Sequence, residues 1–456
     1  MSWHDSLMPV RMQRVALVAS ADALRGVLLR VAQAGVVDFG DTGAWSDSGS
    51  GAMMAPGGAE PDAIASGQDG RTEAMSGEAQ LRSLSEVAVR RGEVAALAGW
   101  CPASEVEVLR GRLQPLGAAV VGMRPPAGID PPTWLGGRSP MKRAFAPLLR
   151  IYGTVPYADI DPTVAAGLAY VVMFGMMFGD AGHGALLIAA ALLLATGRPR
   201  RFAGLRRLWM FVAGAGIAAT GFGLLYGEFF GPTGILPVLW LSPLERPVQL
   251  MIAAIAAGAV LLAISYAIGT TNRWREGGLR LALYSSSGIA GATTFLGLGV
   301  ITGGVLSHRL PVVVAGAVLA GAGLVMSTIG MFAEAGGGSA GMVRSGVGVV
   351  DLVMHLGANT ISFARLAAFG MTHAALGWLV WRATTAVAAG GGAEIVLAAA
   401  IFVIGNAVAF ALELLIAGVQ ALRLEFYELF SRVFVGTGRP YTPWRIPGID
   451  ARSASC

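Results

Sequence analysis

Charge is what this sequence has least of. Asp, Glu, Lys and Arg together make up 13% of its 456 residues, against about 25% in an ordinary soluble domain. Hydrophobic residues make up 54%, and the mean hydropathy is +0.63. Those figures exclude a soluble globular protein and point to an integral membrane protein. Lysine is nearly absent: Lys142 is the single lysine among 33 basic residues. With abundant Ala and Gly, that arginine bias leads one to expect a GC-rich bacterial source. Cysteine is also scarce. Cys101 and Cys456 supply neither a disulfide framework nor a metal site, and no metal or cofactor is expected. No basic helix interleaved with aromatics appears, so nucleic acid is not an expected partner. No GxxxxGK[ST] phosphate loop occurs, so ATP chemistry is not expected in this chain. The opening MSWHDSLMPVRMQRV lacks the apolar core of a secretory signal, and a cytoplasmic N-terminus is expected.

Residues 1–150 read as a small cytoplasmic α/β domain. RVALVA (14–19) reads as a strand, ADALRGVLLRVAQAG as a helix ending at Gly35, and VVDF (36–39) as a second short strand. The Gly/Ser-rich run 40–78 has no periodicity and reads as a flexible linker. Residues 79–114 carry two helical segments around AALAGWCP, and DPPTW (130–134) is an extended approach to the membrane.

The membrane domain is expected over 151–436, with a cytoplasmic tail at 437–456. The apolar stretch 163–196 is too long for one comfortable span of about 20 residues. It is interrupted by GDAGHG (179–184), which reads as a hairpin between two short spans. Further spans are expected near 208–229, 248–270, 281–305, 310–332, 346–381 and 395–434, eight in all. The positive-inside rule supports that count. The inside loops then carry Arg198, Arg200, Arg201, Arg206 and Arg207, then Arg273, Arg275 and Arg280, then Arg344, whereas Arg246, Arg309 and Arg382 fall outside singly. Both termini are then cytoplasmic. The last two spans, of about 36 and 40 residues, exceed a hydrocarbon core of about 30 Å and must tilt or protrude.

Within that apolar background, Arg365 stands out. An arginine at mid-membrane costs about 3 kcal/mol on insertion scales and marks a functional site by default. On the seventh span, Asp351, His355, Asn359, Ser362, Arg365 and His373 fall on one helical face. On the eighth, Asn406, Glu413, Gln420 and Tyr427 recur every seven residues, with Arg423 on the adjoining face. A lone His or Asn of this kind reads first as a helix–helix hydrogen bond. Two polar stripes with carboxylates, histidines and arginines read together as an ion path with proton-exchanging groups. Titratable groups then lie on both sides of Arg365, which never loses its proton. That is the layout of two half-channels separated by a fixed positive charge.

At these residues the chain resembles the membrane subunit of V-type and archaeal A-type rotary ATPases, subunit a or subunit I. The likeness is carried by IYGTVPYADIDPT (151–163), MFGMMFGDAGHG (173–184), GLLYGEFFG (223–231), NTISFARLAAFGMTHAAL (359–376) and the long carboxy-terminal run LELLIAGVQALRLEFYELFSRVFVGTGRPYTPW (412–444). The stretches 10–39 and 98–113 look like the two ends of the family's cytoplasmic domain. The resemblance implies a stator subunit working against a proteolipid c-ring, with peripheral-stalk and catalytic subunits and membrane lipid as partners. It implies that Arg365 faces the ring carboxylate, that Arg423 is the second arginine, and that Glu413 and His373 belong to a half-channel. Asp351 stands where many members have Glu, and Asn359 where some have His. His355, Ser362 and Gln420 complete the polar lining. Family members usually carry a long helical stalk where 40–78 lies here, so the chain reads as a compact form with its stator attachment made differently. Two rival readings are a secondary transporter, against which no matching halves are seen, and a non-transporting assembly scaffold. Asp180, His183 and Glu228 belong to the recognisable motifs without an assigned role.

Overall fold

In a computed structural model, the protein is described over residues 8–40, 69–126, 128–135, 139–197 and 200–446. It divides into two compact units, one of residues 8–134 with 438–456, the other built on residues 135–437.

The first unit is a four-stranded antiparallel sheet with strand order β2-β3-β1-β4, formed by β1 (Met12–Ser20), β2 (Val89–Arg91), β3 (Val94–Pro102) and β4 (Ala119–Met123). Helices α1 (Leu24–Ala34), α2 (Asp69–Val87) and α3 (Val106–Leu113) connect the strands, giving a split β-α-β arrangement. The alternation in β1 buries Val15, Leu17 and Ala19 against Val27, Leu28 and Val31 of α1. Gly35 ends α1 in the left-handed conformation, and its N–H donates to the Val31 carbonyl.

Two expectations change here. Asp69–Val87 is helical, so the linker reading fails over 69–78; residues 41–68 of it lie outside the described residues. VVDF forms no ladder strand, only an isolated bridge from Asp38 to Trp100. Asp38 serves instead as an anchor for the end of the chain. Its buried carboxylate accepts from Gly40 N (2.9 Å), Thr442 N (3.0 Å) and the Arg439 guanidinium (3.2 Å). Tyr441 Oη donates to the Val36 carbonyl at 2.7 Å and Trp444 N to the Val37 carbonyl at 2.8 Å. Residues 438–446 are therefore built into this unit.

The second unit is helical: α4 (Pro140–Tyr152), α5 (Thr163–Met177), α6 (Ala181–Thr196), α7 (Trp209–Tyr226), α8 (Pro247–Tyr284), α9 (Ile289–Leu306), α10 (Leu310–Glu334), α11 (Gly338–Ser362), α12 (Ala364–Ala388) and α13 (Glu394–Leu424). Among the described residues, six helical stretches are long and apolar enough to cross a membrane: 204–226, 247–284, 289–306, 310–334, 338–388 and 394–433. The chain is a multi-pass membrane protein. Helices α5 and α6, with 15 and 16 residues, fall short of that length, so the expected count of eight spans is not reached on length and apolarity. The break between them lies at Phe178–Asp180, overlapping only the first two residues of the expected hairpin.

Two irregularities interrupt the long helices. Phe363 separates α11 from α12, so the expected seventh span is two helices in series. Its ring is fully buried against Gly258 of α8, where an added Cβ would collide with it. A π-helical turn, Glu425–Phe430, follows α13. At the base of the unit the single lysine, Lys142, pairs with Asp161 at 2.6 Å. Asn272 of α8 accepts from Ile160 N and donates to the Val433 carbonyl, both at 2.9 Å.

Close helix approach depends on glycine. At Gly223 of α7 a Cβ would collide with the backbone of Asp180 and Ala181, whereas at Gly221, two residues earlier, it would meet nothing within 4 Å. Gly223→Ala should lower stability by about 1–3 kcal/mol through overpacking, while Gly221→Ala should be neutral or stabilising by up to about 1 kcal/mol. Thermal melting of the two variants in detergent checks the difference.

A pH dependence follows from the Gly153–Pro162 connection. Burial, with Glu276 beside it, pushes the Asp159 carboxyl from 3.8 up to about 7, against the opposing pull of Arg273 and Arg275. A value raised on folding gives a contribution that is complete below 3.8 and is lost as pH rises through about 7. Melting temperatures measured across that interval should fall with pH in the wild type, and the fall should flatten in Asp159→Asn.

Candidate functional site

Arg365 lies two residues past the break at Phe363, on the first turn of α12. Its Nε donates to the Ser362 carbonyl at 3.1 Å, and its guanidinium pairs with Glu428 Oε1 at 2.8 Å. The Glu428 side chain is 4% exposed and that of Arg365 26%. A charged, hydrogen-bonded pair of this kind offsets the desolvation of both partners. The π-turn sets the geometry. A strict seven-residue repeat after Glu413 and Gln420 points Tyr427 inward. The wider turn instead leaves Tyr427 70% exposed and carries Glu428 to the arginine. Glu428 was not among the sequence candidates; another carboxylate in an apolar helix was the signal that could have found it.

Just over two helical turns beyond Arg365, His373 is buried and its Nδ1 is hydrogen-bonded to the buried Glu413 carboxylate of α13. The two stripes therefore meet at this pair. Asn406, two turns before Glu413, is buried and donates to the Phe402 carbonyl at 2.9 Å. Gln420 is half-buried, and its Oε1 has no hydrogen-bond partner.

On the other side of Arg365, the remaining seventh-span residues sit on α11. Asp351 and His355 lie 3.2 Å apart with both side chains exposed, and Asn359 is half-buried. Ser362 supplies the carbonyl that Arg365 holds. Arg423 is exposed on α13. The structure thus brings together Arg365 with Ser362, His373 with Glu413, and Asp351 with His355. It leaves Arg423 on the surface of the chain.

The GDAGHG motif acquires a structural account. Asp180 is fully buried in extended conformation as the N-cap of α6, accepting from His183 N at 2.9 Å. It also accepts from Phe230 N (3.0 Å) and Gly231 N (2.7 Å). Ala181 N in turn donates to the Glu228 carbonyl at 2.9 Å. One carboxylate thereby clamps the α5–α6 turn to the YGEFFG segment after α7. Phe178 and His183 lie against His373, with ring centroids 5.0 Å and 5.6 Å away, so this clamp forms the wall behind the His373–Glu413 pair.

Residues 83–233 match the model of the V-type ATPase 116kDa subunit family. The chain is similar to an A-type ATP synthase subunit I of Aeropyrum pernix, 29% identical over 72% of this chain and 53% of that protein. A Thermococcus kodakarensis A-type ATP synthase subunit I is 24% identical over 77% of this chain and 54% of its own length. A V-type ATP synthase subunit I 2 of Treponema pallidum is 30% identical over 36% of this chain and 37% of its own. The chain spans about half the length of the Aeropyrum and Thermococcus proteins. The expected bacterial source does not fit the archaeal Aeropyrum and Thermococcus relatives.

The Arg365–Glu428 pair should be worth keeping intact. Glu428→Ala strands the guanidinium and should cost about 3 kcal/mol, the low end for breaking a buried pair because Arg365 retains some exposure. The double variant Glu428→Ala/Arg365→Ala should recover part of that loss. Melting of the four-member cycle in detergent measures it.

Proposed function

We propose that this chain, a member of the V/A-type ATPase subunit a/I family, is the ion-translocating stator subunit of a rotary ATPase. The observation that carries the reading is Arg365: one permanent charge, placed at a helix break, with titratable pairs to either side. His373–Glu413 forms the inner end of one half-channel. Asp351 and His355, with Asn359 and Ser362, line the other, and Gln420 on α13 adds a polar group to the path. The proposed topology has eight spans, with α5 and α6 as a short hairpin, and both termini in the cytoplasm.

A proton enters one half-channel and neutralises a carboxylate on a rotating proteolipid ring. The neutral carboxyl travels through lipid, since a charged one is too costly there. On returning beside Arg365 it ionises, because an adjacent fixed positive charge favours the carboxylate. The proton leaves by the second half-channel, and Arg365 prevents it from crossing directly. Glu428 holds the guanidinium between encounters, so an arriving ring carboxylate exchanges one acceptor for another and Arg365 is never left unpaired. Exposure of Asp351, His355, Arg423 and Tyr427 on otherwise apolar helices supports a partner covering that face. Each charge moved against 100 mV is worth about 2.3 kcal/mol, so several must pass for each ATP. Catalytic and peripheral-stalk subunits are the further partners of this reading.

Arg365→Ala should abolish ATP-driven proton pumping in reconstituted complexes while leaving complex abundance unchanged. Arg365→Lys, which keeps the charge and loses the two-pronged hydrogen bonding, should retain only a fraction. Undiminished pumping by assembled Arg365→Ala complexes would sink the proposal. Loss of assembly with normal transport per remaining complex would instead identify a scaffold.

A further inference from the structure

We infer that Asp180, His183 and His373 form a binding site for a borderline divalent transition-metal cation, of which Zn2+ is the type. One potential ligand atom from each residue lies within 4.8 Å of the others, and all three side chains are buried. Two imidazoles and a carboxylate are the donor set that Zn2+ takes.

His183 supplies an independent indication. Its side chain is 2% exposed, and neither ring nitrogen has a hydrogen-bond partner. Its Nδ1 stands 3.8 Å from Asp180 Oδ1, too far for a hydrogen bond. Around the ring lie Phe178, Phe230 and Phe410, at centroid distances of 5.8, 5.2 and 5.5 Å. A buried polar group without a partner costs stability and asks for a ligand. A cation between His183, His373 and Asp180 answers that need directly.

The surroundings suit a metal. His373 Nδ1 is engaged by Glu413, the outer-shell arrangement in which a carboxylate orients a ligating histidine and leaves its other nitrogen for the metal. Asp180 Oδ1 accepts two backbone N–H groups and Oδ2 only one, so Oδ2 keeps a lone pair. Glu228, also buried, has an unpartnered Oε2. Tetrahedral metal–ligand bonds of about 2.0–2.2 Å set donor atoms about 3.4 Å apart, closer than the 4.8 Å within which the three now lie. Side-chain movement on metal binding would have to bring them together, with the Asn406 side chain a further polar neighbour of the His183 ring.

The test is direct binding to the full chain, purified in detergent without a polyhistidine tag. Co2+ is the spectroscopic probe and Zn2+ the competitor. Saturable visible absorption by Co2+, displaced by Zn2+, is expected, with affinity at least about tenfold weaker in His183→Gln. Absence of saturable Co2+ binding, or affinity unchanged in a folded His183→Gln protein, overturns the inference. Should that variant not fold, X-ray absorption of the Zn2+-loaded wild type decides: two imidazole ligands support the site, and fewer overturn it. Inhibition of proton pumping by Zn2+ rests additionally on the role proposed for His373. Binding without inhibition would count against that role and not against the metal site.

Discussion

A charge enclosed by apolar helices must be met by an opposite charge or by water, and much of this molecule's second unit answers to that requirement. Arg365 is met by Glu428. The pairing needs two departures from regular helix. The break at Phe363 sets the arginine at the start of a new helix, and the π-turn at Glu425–Phe430 turns the glutamate inward. Each is locked by packing: Phe363 fills the space left by Gly258, and Phe430 lies in a cluster with Tyr152 and Phe434. Irregular backbone at membrane depth survives only when neighbouring protein satisfies it, which is why these aromatics surround it.

The same constraint recurs two turns further along α12. His373 and Glu413 satisfy each other, and the Asp180 clamp closes the wall behind them. Asp180 takes up three backbone N–H groups that a buried turn would otherwise leave without acceptors. What looks from its spelling like a catalytic cluster is, at Asp180, first a solution to backbone hydrogen bonding. His183, left over from that solution, is the side chain without one.

Much of this was legible in the sequence. The apolar runs from residue 204 to 433 gave the long helices because hydrophobic length is a direct physical signal. Arg365 was legible because its cost is high wherever it sits, and the meeting of His373 with Glu413 followed from two stripes on facing helices. Glu428 was not legible, because a repeat of seven assumes a regular helix and the π-turn rotates the face by one position. The helix over 69–78 was hidden by its Gly, Ser and Asp content, which masks weak amphipathicity. The reach from Asp180 to Phe230 and Gly231 spans fifty residues of sequence and has no local signature.

The anchoring of the chain's end on Asp38 bears on the order of synthesis. Asp38 is made early, and its buried carboxylate is satisfied by Arg439 and Thr442, which leave the ribosome some four hundred residues later. Until then the sheet unit is incomplete, with an acidic group and the carbonyls of Val36 and Val37 open to water. The helical unit is, topologically, an insertion within the sheet unit, whose completion waits for residues 135–437 to be translated. A chain cut before residue 439 thus leaves the Asp38 carboxylate without two of its partners.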